Sequence, residues 1–593
     1  MLEQLKRDGV FINRLFATLR RVMTLKAKSD WLVCDELDLA CTTWPGHVAM
    51  KCGADSWSYA DLKTYADRVG NFVLDLGLKR GETVALFMPN RPEYVGLWFG
   101  IAKAGVRTAL INSNLQGAAL KHSLDVSGAK HLFVDATLHE ALETIRDDLP
   151  PDLTVWSACG EIEGARPLDA YIQSSSADNV NANVRLGLKQ GDIALYIYTS
   201  GTTGLPKAAK VTHMKALTYM RGFAGGTGAR PEDNIYITLP LYHATGGLCA
   251  LGAALLTGGT AVLRERFSAS QFWADVTKYN ITMFVYIGEL CRYLINQDER
   301  PGEDRHSIRL AFGNGLRPDV WAEMDRRFKI PRILEFYGST EGNVSLLNLD
   351  GKQGAVGRIP RWLSWAFNVV IVKYNAETGA LVRDAHGHCV VCKPGEVGEA
   401  LGRIGKKPRE AFVGYTSQRE SQRKIAEDVL RKGDRWFRTG DLMKTDKHGY
   451  FYFVDRLGDT FRWKGENVAT TEVEAALGLR DDIDEAIVYG VTVPHTEGKA
   501  GMAALVMHDE PNWADLAAHL DQSLPDYAIP LFIRRLPALE TTGTFKYRKG
   551  DLAKAGYDPE RLGAEVWVRD AKAGYTLLTP ETLEAIRTGS FRV

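Results

Sequence analysis

The sequence predicts an α/β protein with three parts: a large N-terminal domain of doubly wound parallel sheets, a small β-barrel-like part, and a smaller C-terminal α+β domain. The first observation is that strand-like and helix-length segments alternate from about residue 55 to residue 350, which is typical of parallel sheets covered by helices. The second is that residues 354–455 carry short strand-like runs with frequent turns. The third is that a mixed α/β pattern begins again after about residue 456.

Each strand predicted in the large domain is a short apolar run bounded by polar or turn residues. These runs lie at 83–88, 108–111, 131–134, 193–198, 234–239, 281–287, 308–312 and 333–336. Helix-length segments such as 92–104 and 267–279 lie between them. The uncharged run 244–263 contains five glycines and three threonines. It is therefore predicted as a buried helix followed by a strand, and not as a transmembrane span.

We divide the chain into residues 1–30, 31–455 and 456–593, with a hinge near 456–459. Residues 1–30 form an amphipathic basic segment. Its apolar residues at helical spacing are Phe11, Ile12, Leu15, Phe16, Leu19, Val22 and Met23. Arginines and lysines interrupt them, so the segment lacks the uncharged core of a signal peptide. Two interpretations stay open: a helix that lies on an anionic membrane surface, or a helix packed on its own protein.

Charge and cysteine content exclude some classes of function. The 593 residues include 73 basic and 73 acidic ones, so nothing indicates nucleic acid as a partner. Eight cysteines in so long a chain do not indicate a disulfide framework. Cys389 and Cys392, with His386 and His388 nearby, have the spacing of half a zinc site. Because no second pair completes that site, we predict that the cluster is structural or occurs by chance.

A loop of small and hydroxyl residues follows the predicted strand 193–198. Such loops let the main chain approach phosphate oxygens closely and donate backbone N–H groups to them. The loop is not a Walker A motif, because Pro206 precedes its lysine and Ala208 follows it. The predicted phosphate-binding residues are Thr199, Ser200, Gly201, Thr202, Thr203, Gly204 and Lys207.

Further candidate residues lie where predicted strands end, which is where open α/β sheets bind ligands. The segment 312–315 leaves room for a flat ring, and 335–342 combines an aromatic ring with hydroxyl groups and a carboxylate. Their candidate nucleotide-binding residues are Gly313, Asn314, Gly315, Tyr337, Gly338, Ser339 and Thr340. Glu341 is the candidate metal anchor, because Mg²⁺ binds few carboxylates together with waters and substrate phosphates. His243 follows the strand 234–239.

The tract from 438 to 467 supplies charged groups next to Gly-rich turns. Asp441 is suited to accept hydrogen bonds from ribose hydroxyls. Arg456 is suited to hold ribose or phosphate. On their own, such charges are most often part of a solvated loop, so their order along the chain decides how they are interpreted.

Taken in order, these motifs resemble those of the adenylate-forming superfamily, which includes acyl-CoA synthetases, luciferases and peptide-synthetase adenylation domains. The resemblance runs from about residue 40 to the C-terminus. It implies that His243 lies near the acyl site and that Lys546, in the tract 541–547, enters the active site. It also implies a mobile C-terminal domain that presents Gly465, Glu466 and Asn467 beside a pantetheine channel.

One branch of the superfamily is favoured. The tract FRWKGENVATTEVE at 461–474 and the Thr-Phe-Lys at 544–546 resemble fatty-acid transport proteins and very-long-chain acyl-CoA synthetases. Two departures from the wider family are Phe545, where many relatives have glycine, and Gly458, where many carry a charged hinge residue. Glycine accepts the widest range of backbone angles, so Gly458 is compatible with a domain rotation.

The resemblance implies an ATP-dependent long- or very-long-chain fatty acid–CoA ligase that forms acyl-AMP and then acyl-CoA. ATP, Mg²⁺ bound by Thr199 and Glu341, and the co-substrate coenzyme A are expected. Coupling to fatty acid uptake, membrane contact through residues 1–30 and a homodimer are left open. The expected location is the cytoplasm, including the inner face of the cell membrane. Three alternatives remain: an acyl-adenylate ligase that loads a carrier protein, a lipid-uptake or binding protein with weak catalysis, and an aryl or amino acid activator.

The role implied for Lys546 gives a first prediction. Replacement Lys546→Ala should slow adenylation by about 10²- to 10³-fold, the usual cost of losing one electrostatic stabiliser. Thioester formation from supplied acyl-adenylate should be unchanged, because the lysine leaves the site before that step. Single-turnover assays of the two half-reactions check this, and an equal loss in both would contradict the assignment.

Overall fold

The computed structural model describes residues 2–199, 205–375, 378–405, 410–464, 466–539, 549–570 and 573–591. In these ranges the α-helices are α1 (Leu2–Val22), α2 (Val33–Thr43), α3 (Tyr59–Asp75), α4 (Pro92–Lys103), α5 (Gly117–Ser127), α6 (His139–Glu143), α7 (Leu168–Ser174), α8 (His213–Thr227), α9 (Leu251–Leu255), α10 (Ala269–Lys278), α11 (Gly288–Ile295), α12 (Pro318–Arg327), α13 (Gln418–Gln422), α14 (Thr470–Leu477), α15 (Trp513–Ser523), α16 (Lys549–Ala555), α17 (Pro559–Leu562) and α18 (Pro580–Thr588).

The strands are β1 (Val48–Cys52), β2 (Asp55–Ser58), β3 (Thr83–Phe87), β4 (Arg107–Ile111), β5 (His131–Asp135), β6 (Thr154–Ala158), β7 (Arg166–Pro167), β8 (Ile193–Thr199), β9 (Lys207–Thr212), β10 (Asn234–Ile237), β11 (Thr260–Leu263), β12 (Met283–Ile287), β13 (Leu310–Asn314), β14 (Ile333–Gly338), β15 (Ser345–Leu347), β16 (Gly357–Arg358), β17 (Val369–Val372), β18 (Gly398–Ile404), β19 (Ile425–Glu427), β20 (Arg435–Thr445), β21 (Tyr450–Arg456), β22 (Phe461–Trp463), β23 (Glu466–Val468), β24 (Ile483–Val491), β25 (Ala500–Met507), β26 (Phe532–Arg535), β27 (Val566–Asp570) and β28 (Gly574–Leu577).

The first of two compact units comprises residues 1–316, 324–352 and 404–425. It holds an eight-stranded sheet in the order β15-β14-β13-β12-β10-β11-β1-β2 and a seven-stranded sheet in the order β7-β6-β5-β3-β4-β8-β9. Their inner strands are parallel, whereas the edge strands β2, β9 and β15 are antiparallel to their neighbours. Strands such as β3 are buried at every position, as expected for sheets covered on both faces.

The second unit comprises residues 317–323, 353–403 and 426–593. Its first sheet is antiparallel, in the order β16-β21-β20-β18-β17 with β19 paired to β20. Its last sheet, β24-β25-β26-β27-β28, mixes one parallel pair with antiparallel pairs and packs on helices such as α14 and α15. The predicted fold class, with parallel sheets, a barrel-like antiparallel part and a C-terminal α+β part, is confirmed.

Helix α8 follows strand β9 of the β8–β9 hairpin, whose connection is the predicted phosphate loop, and it packs against the N-terminal helix α1. Thr212 caps its start by accepting a hydrogen bond from the backbone N–H of Lys215, and Gly228 ends it with φ +63°. Helix α1 packs along α8, where the Cα of Thr18 lies so near Gly225 that an added Cβ would come within 2.7 Å of it. Glycine at 225 is therefore required by this close helix contact.

The uncharged run 244–263 folds as predicted from its sequence. It forms a π-helical turn at Thr245–Ala250, then α9 and the buried strand β11. Among the described residues, no helix is long and apolar enough to cross a membrane.

Candidate active site

The two ends of the predicted phosphate loop lie opposite each other. Thr199 ends β8 and Lys207 begins β9, and the two residues are paired across the antiparallel ladder. Ser200, Gly201, Thr202, Thr203 and Gly204 lie outside the described residues. The hairpin places a hydroxyl and an ammonium group on neighbouring strands at the carboxyl end of β8.

Lys207 is held by a segment that the sequence analysis did not single out. Its Nζ lies 2.5 Å from Oε2 of Glu420 and 5.9 Å from the ring centroid of Tyr415. The hydrogen bond from Lys207 keeps the pKa of Glu420 below its ordinary value. The lysine thus has a carboxylate partner of its own in this structure.

Tyr415 connects the loop to the candidate metal anchor. Its segment pairs with β9, because Lys210 N donates to Gly414 O at 3.1 Å and Thr416 N donates to Ala208 O at 3.1 Å. The Tyr415 hydroxyl lies beside the Glu341 carboxylate and the Thr199 hydroxyl. Burial, and then the charge of Glu341, raise the pKa of Tyr415. The two predicted metal ligands therefore lie beside the same phenol group.

Lys215 fixes the backbone on both sides of Glu341. The Lys215 Nζ donates hydrogen bonds to the carbonyl oxygens of Thr340 and of Gly342, the latter at 2.7 Å. Burial lowers the pKa of Lys215 to about 8, while Glu341 acts in the opposite direction. One turn further along α8, the Tyr219 hydroxyl donates to Ser339 O at 3.2 Å. The loop that carries Glu341 is anchored to α8 by these bonds.

The predicted adenine-binding turn rests on a buried carboxyl group. Glu335 accepts hydrogen bonds from the Tyr286 hydroxyl at 2.5 Å and from Leu316 N at 3.0 Å. Burial raises the pKa of Glu335 to about 8. A Cβ at Gly313 would lie 2.1 Å from Tyr286 O, so the neighbouring strand requires glycine there. Gly315 adopts φ +81°, the left-handed region that glycine favours.

The remaining nucleotide-site candidates of this unit follow the ends of β13 and β14. Asn314 is the last residue of β13, and Tyr337 lies half-buried near the end of β14, opposite Leu346. Gly338 ends β14, and the hydroxyl of Ser339 accepts a hydrogen bond from Gly342 N at 3.1 Å. These residues therefore lie at the carboxyl ends of two neighbouring strands of the eight-stranded sheet.

His243 lies in a rigid turn between β10 and the π-helical turn. Its backbone N donates to Pro240 O at 3.2 Å, and its ring centroid is 4.6 Å from that of Tyr242. The Asn90 side chain accepts from Leu241 N at 2.8 Å and so holds the turn in place. A Cβ at Gly247 would lie 1.9 Å from Leu241 O. Single π-turns are frequent at functional sites.

The candidate ribose-binding residues belong to the second unit. Asp441 and Arg456 pair across β20 and β21, with Arg456 Nε 3.7 Å from Asp441 Oδ1. Glu466 and Asn467 are exposed on β23, which pairs with β22. Gly465 and Lys546 lie outside the described residues.

The donor set around Thr199 and Glu341 fits a magnesium ion. The Glu341 carboxylate and the Thr199 hydroxyl both lie beside the Tyr415 hydroxyl and present hard oxygen ligands in one place, which is the chemistry Mg²⁺ prefers. Across the described ranges, no group of three or more His, Cys, Asp or Glu side chains is placed to hold a metal ion. All eight cysteines are free thiols, including Cys389 and Cys392.

The sequence analysis missed the roles of Lys215, Glu335, Tyr415 and Glu420. Glu335 carried a signal, since it is the charged residue of the otherwise apolar strand β14, and such residues are buried only when paired or neutral. Lys215 carried less, because α8 also contains Arg221. Tyr415 and Glu420 carried none. Their contacts with Lys207 span more than two hundred residues, as the separation of 213 between Lys207 and Glu420 shows.

Parallel sheets with candidate nucleotide-binding residues at their strand ends are typical of nucleotide-binding enzymes. The family models define the class more closely. The chain belongs to the AMP-binding enzyme family, whose model matches residues 37–402, and the model of the AMP-binding enzyme C-terminal domain matches residues 472–546. It lies in the fatty acid transport protein branch of the adenylate-forming enzymes. It is 43% identical over 545 residues to long-chain fatty acid transport protein 1 of Mus musculus, which covers 90% of this chain and 84% of the relative.

Another relative agrees with this placement, and solved structures share the fold. Long-chain fatty acid transport protein 3 of Mus musculus is 44% identical over 528 residues, covering 87% of this chain and 78% of the relative. A crystal structure of an anthranilate CoA ligase in complex with anthranoyl-AMP has a TM-score of 0.76 at 22% identity, covering 90% of this chain and 98% of that one. A benzoate CoA ligase from Burkholderia xenovorans LB400 has a TM-score of 0.73 at 21% identity, covering 88% and 99%. These structures share the fold.

Removing the Tyr415 hydroxyl should weaken the metal–nucleotide site. Tyr415→Phe should raise the Kd for ATP in the presence of Mg²⁺ by about tenfold, because a polar group beside Glu341 and Thr199 is replaced by hydrogen. Isothermal titration calorimetry with ATP at several Mg²⁺ concentrations measures this. The control Tyr452→Phe removes a hydroxyl that donates to Asp446 in the second unit. An unchanged Kd in Tyr415→Phe would contradict the proposed arrangement.

The buried Glu335 should make stability fall as pH rises. Its pKa is raised from 4.5 to about 8, so between these values the folded chain holds a proton that the unfolded chain releases. The free energy of unfolding should then fall by up to about 1.4 kcal/mol per pH unit over that window. Urea unfolding of the wild type and of Glu335→Gln, which has no proton to lose, tests this. Parallel pH profiles for the two proteins would show that Glu335 is ionised when folded.

Proposed function

We propose that the protein is an AMP-forming long- or very-long-chain fatty acid–CoA ligase. The observation that carries the proposal is the gathering of Thr199, Glu341 and the ammonium of Lys207 around the Tyr415 side chain. A hydroxyl, a carboxylate and a cation in this arrangement are suited to a metal–polyphosphate ligand. The choice of fatty acids is supported by the 43% identity to long-chain fatty acid transport proteins.

Adenylation requires two anions to meet, so the work of the site is positioning and charge neutralisation. In the proposed reaction, the fatty acid carboxylate attacks the α-phosphate of ATP and pyrophosphate leaves. Lys207 exchanges Glu420 for the β- and γ-phosphates, and Thr199 and Glu341 hold Mg²⁺. When bound, this ion supplies positive charge against the phosphate oxygens. Lys546 bridges carboxylate and phosphate oxygens as the charge shifts.

The nucleotide's other parts are assigned to separate elements. Tyr337 and the turn 313–315 hold adenine, with Ser339 and Thr340 beside them. Asp441 and Arg456 hold the ribose. His243, in its rigid turn, lines the acyl site. The support for the adenine site is the position of its residues at the ends of β13 and β14, and the support for the other assignments is the order of the motifs along the chain.

Thioester formation is proposed to follow a rotation of the C-terminal domain about residues 456–459. The rotation withdraws Lys546 and presents Gly465, Glu466 and Asn467 to coenzyme A. The thiol then attacks the acyl-adenylate carbonyl, AMP leaves, and acyl-CoA forms. The division of the chain into 31–455 and 456–593 remains part of this proposal.

A cytoplasmic location is proposed with this activity. The eight free thiols support it, because disulfides are rare in reducing compartments. Coupling to fatty acid uptake follows from the same reaction, since thioester formation with a charged carrier traps the acid on the side where the enzyme works.

ATP–pyrophosphate exchange across fatty, aromatic and amino acids, repeated with coenzyme A and product identification, tests the proposal. Exchange with long fatty acids, followed by acyl-CoA when coenzyme A is added, is expected. Exchange without a thioester would point to a ligase that loads a carrier protein. Exchange with aromatic or amino acids alone would reassign the substrate, and no exchange with any acid would leave lipid binding without catalysis.

A further inference from the structure

Helix α1 is apolar on two faces, and the protein covers only one of them. The inner face packs along α8: Phe11 is 1% exposed, and Thr18 lies against Gly225. A second apolar stripe faces outward. Its residues follow one another at intervals of seven, four, three and four positions, and this spacing places them on one side of a helix. This outer stripe consists of Leu5, Ile12, Phe16, Leu19 and Met23, all exposed in the structure.

The outer stripe is not a chance collection of surface residues. Phe16 is 68% exposed and Met23 is 73% exposed, so large apolar groups project from the surface. Single exposed apolar residues are common, whereas a contiguous apolar stripe marks an interaction site. Helix α1 also precedes the residues 37–402 that match the AMP-binding family model, so the family's common core does not account for it.

The charges beside the stripe identify the partner. Five cations of residues 4–30 are exposed, namely Lys6, Arg20, Arg21, Lys26 and Lys28. Against them, Asp30 is the exposed acidic residue of this segment, and Asp8 is half-buried and accepts a hydrogen bond from Gln4 at 2.9 Å. An apolar stripe next to a cationic surface is the pattern of helices that lie in the headgroup region of anionic membranes.

We infer that the outer stripe of α1 docks the protein on an anionic lipid bilayer. Phe16 and its neighbours enter the boundary between headgroups and acyl chains, and the cations contact lipid phosphates. A second copy of the chain fits this surface less well. A twofold dimer places the same patch against itself, so the exposed cations of both copies would share one interface that offers few acidic groups to pair with them.

Co-sedimentation of the full-length protein with vesicles of phosphatidylcholine, with and without phosphatidylglycerol, tests the inference. Binding should require phosphatidylglycerol and weaken as salt is added. The variant Leu5→Ser/Phe16→Ser should bind vesicles about tenfold more weakly, as should Arg20→Glu/Lys26→Glu. All replaced side chains are exposed, so thermal unfolding and ATP–pyrophosphate exchange in solution should match the wild type.

Two controls separate the stripe from other apolar surface. Leu186→Ser removes a side chain that is also 68% exposed, but outside α1, and it should leave vesicle binding unchanged. The pair Trp362→Ser/Trp365→Ser removes the exposed tryptophans of the second unit. If only this pair abolishes binding, or if Leu5→Ser/Phe16→Ser binds like the wild type, the inference is wrong.

Sedimentation velocity without lipid tests the alternative that a second copy of the chain binds the outer stripe. A monomer whose vesicle binding depends on the outer stripe supports the inference. A dimer that dissociates on Leu5→Ser/Phe16→Ser, with no binding of the wild type to either vesicle, would overturn it in favour of a self-association surface. None of these results depends on which acid the enzyme activates.

Discussion

Three parts of the chain that are far apart in sequence meet around one phenol side chain. Thr199 ends a strand of the seven-stranded sheet, Glu341 follows a strand of the eight-stranded sheet, and Tyr415 belongs to a segment paired with β9. The Tyr415 hydroxyl lies beside both other side chains. Lys215 adds a second tie between α8 and the Glu341 loop. The two sheets of the first unit are thus coupled at the point where phosphate chemistry is proposed.

Two ionisable groups, Glu335 and Lys215, hold the loops of the candidate site in place. Glu335 is fully buried and has no cationic partner among the bonds that fix it, which are those of Tyr286 and Leu316. A protonated carboxyl avoids the cost of an isolated buried charge, and its bonds hold the turn at 313–316 against the neighbouring strand. Lys215 is half-buried, and the backbone carbonyl oxygens of Thr340 and Gly342 accept its hydrogen bonds. Both side chains hydrogen-bond to backbone groups of the loops at 313–316 and 339–342, so these loops are held in position before a ligand binds.

Much of the fold could be predicted from the sequence, but only part of the candidate site. The alternation of apolar runs fixed the parallel strands, because buried parallel strands are continuous apolar segments, and the run 244–263 was correctly assigned to a helix and a strand. The strand β9 was missed, since KAAKVT reads equally as the start of a helix. Tyr415 and Glu420 were missed because a contact between distant segments leaves no local pattern. The pairing of α1 with α8 also needed the structure, since both faces of α1 carry the same apolar spacing.

If Lys207 binds the nucleotide phosphates as proposed, its pairing with Glu420 makes nucleotide capture an exchange of partners. A lysine without a partner would gain a full ion pair with a phosphate and release its hydrated counterions. Here one ion pair is given up for another, so the net electrostatic gain is the difference between them. Added salt screens both pairs alike, and the affinity for nucleotide is thereby buffered against changes in ionic strength. A small anion with a single charge gains little from such an exchange, which favours polyphosphates over simple ions at this position.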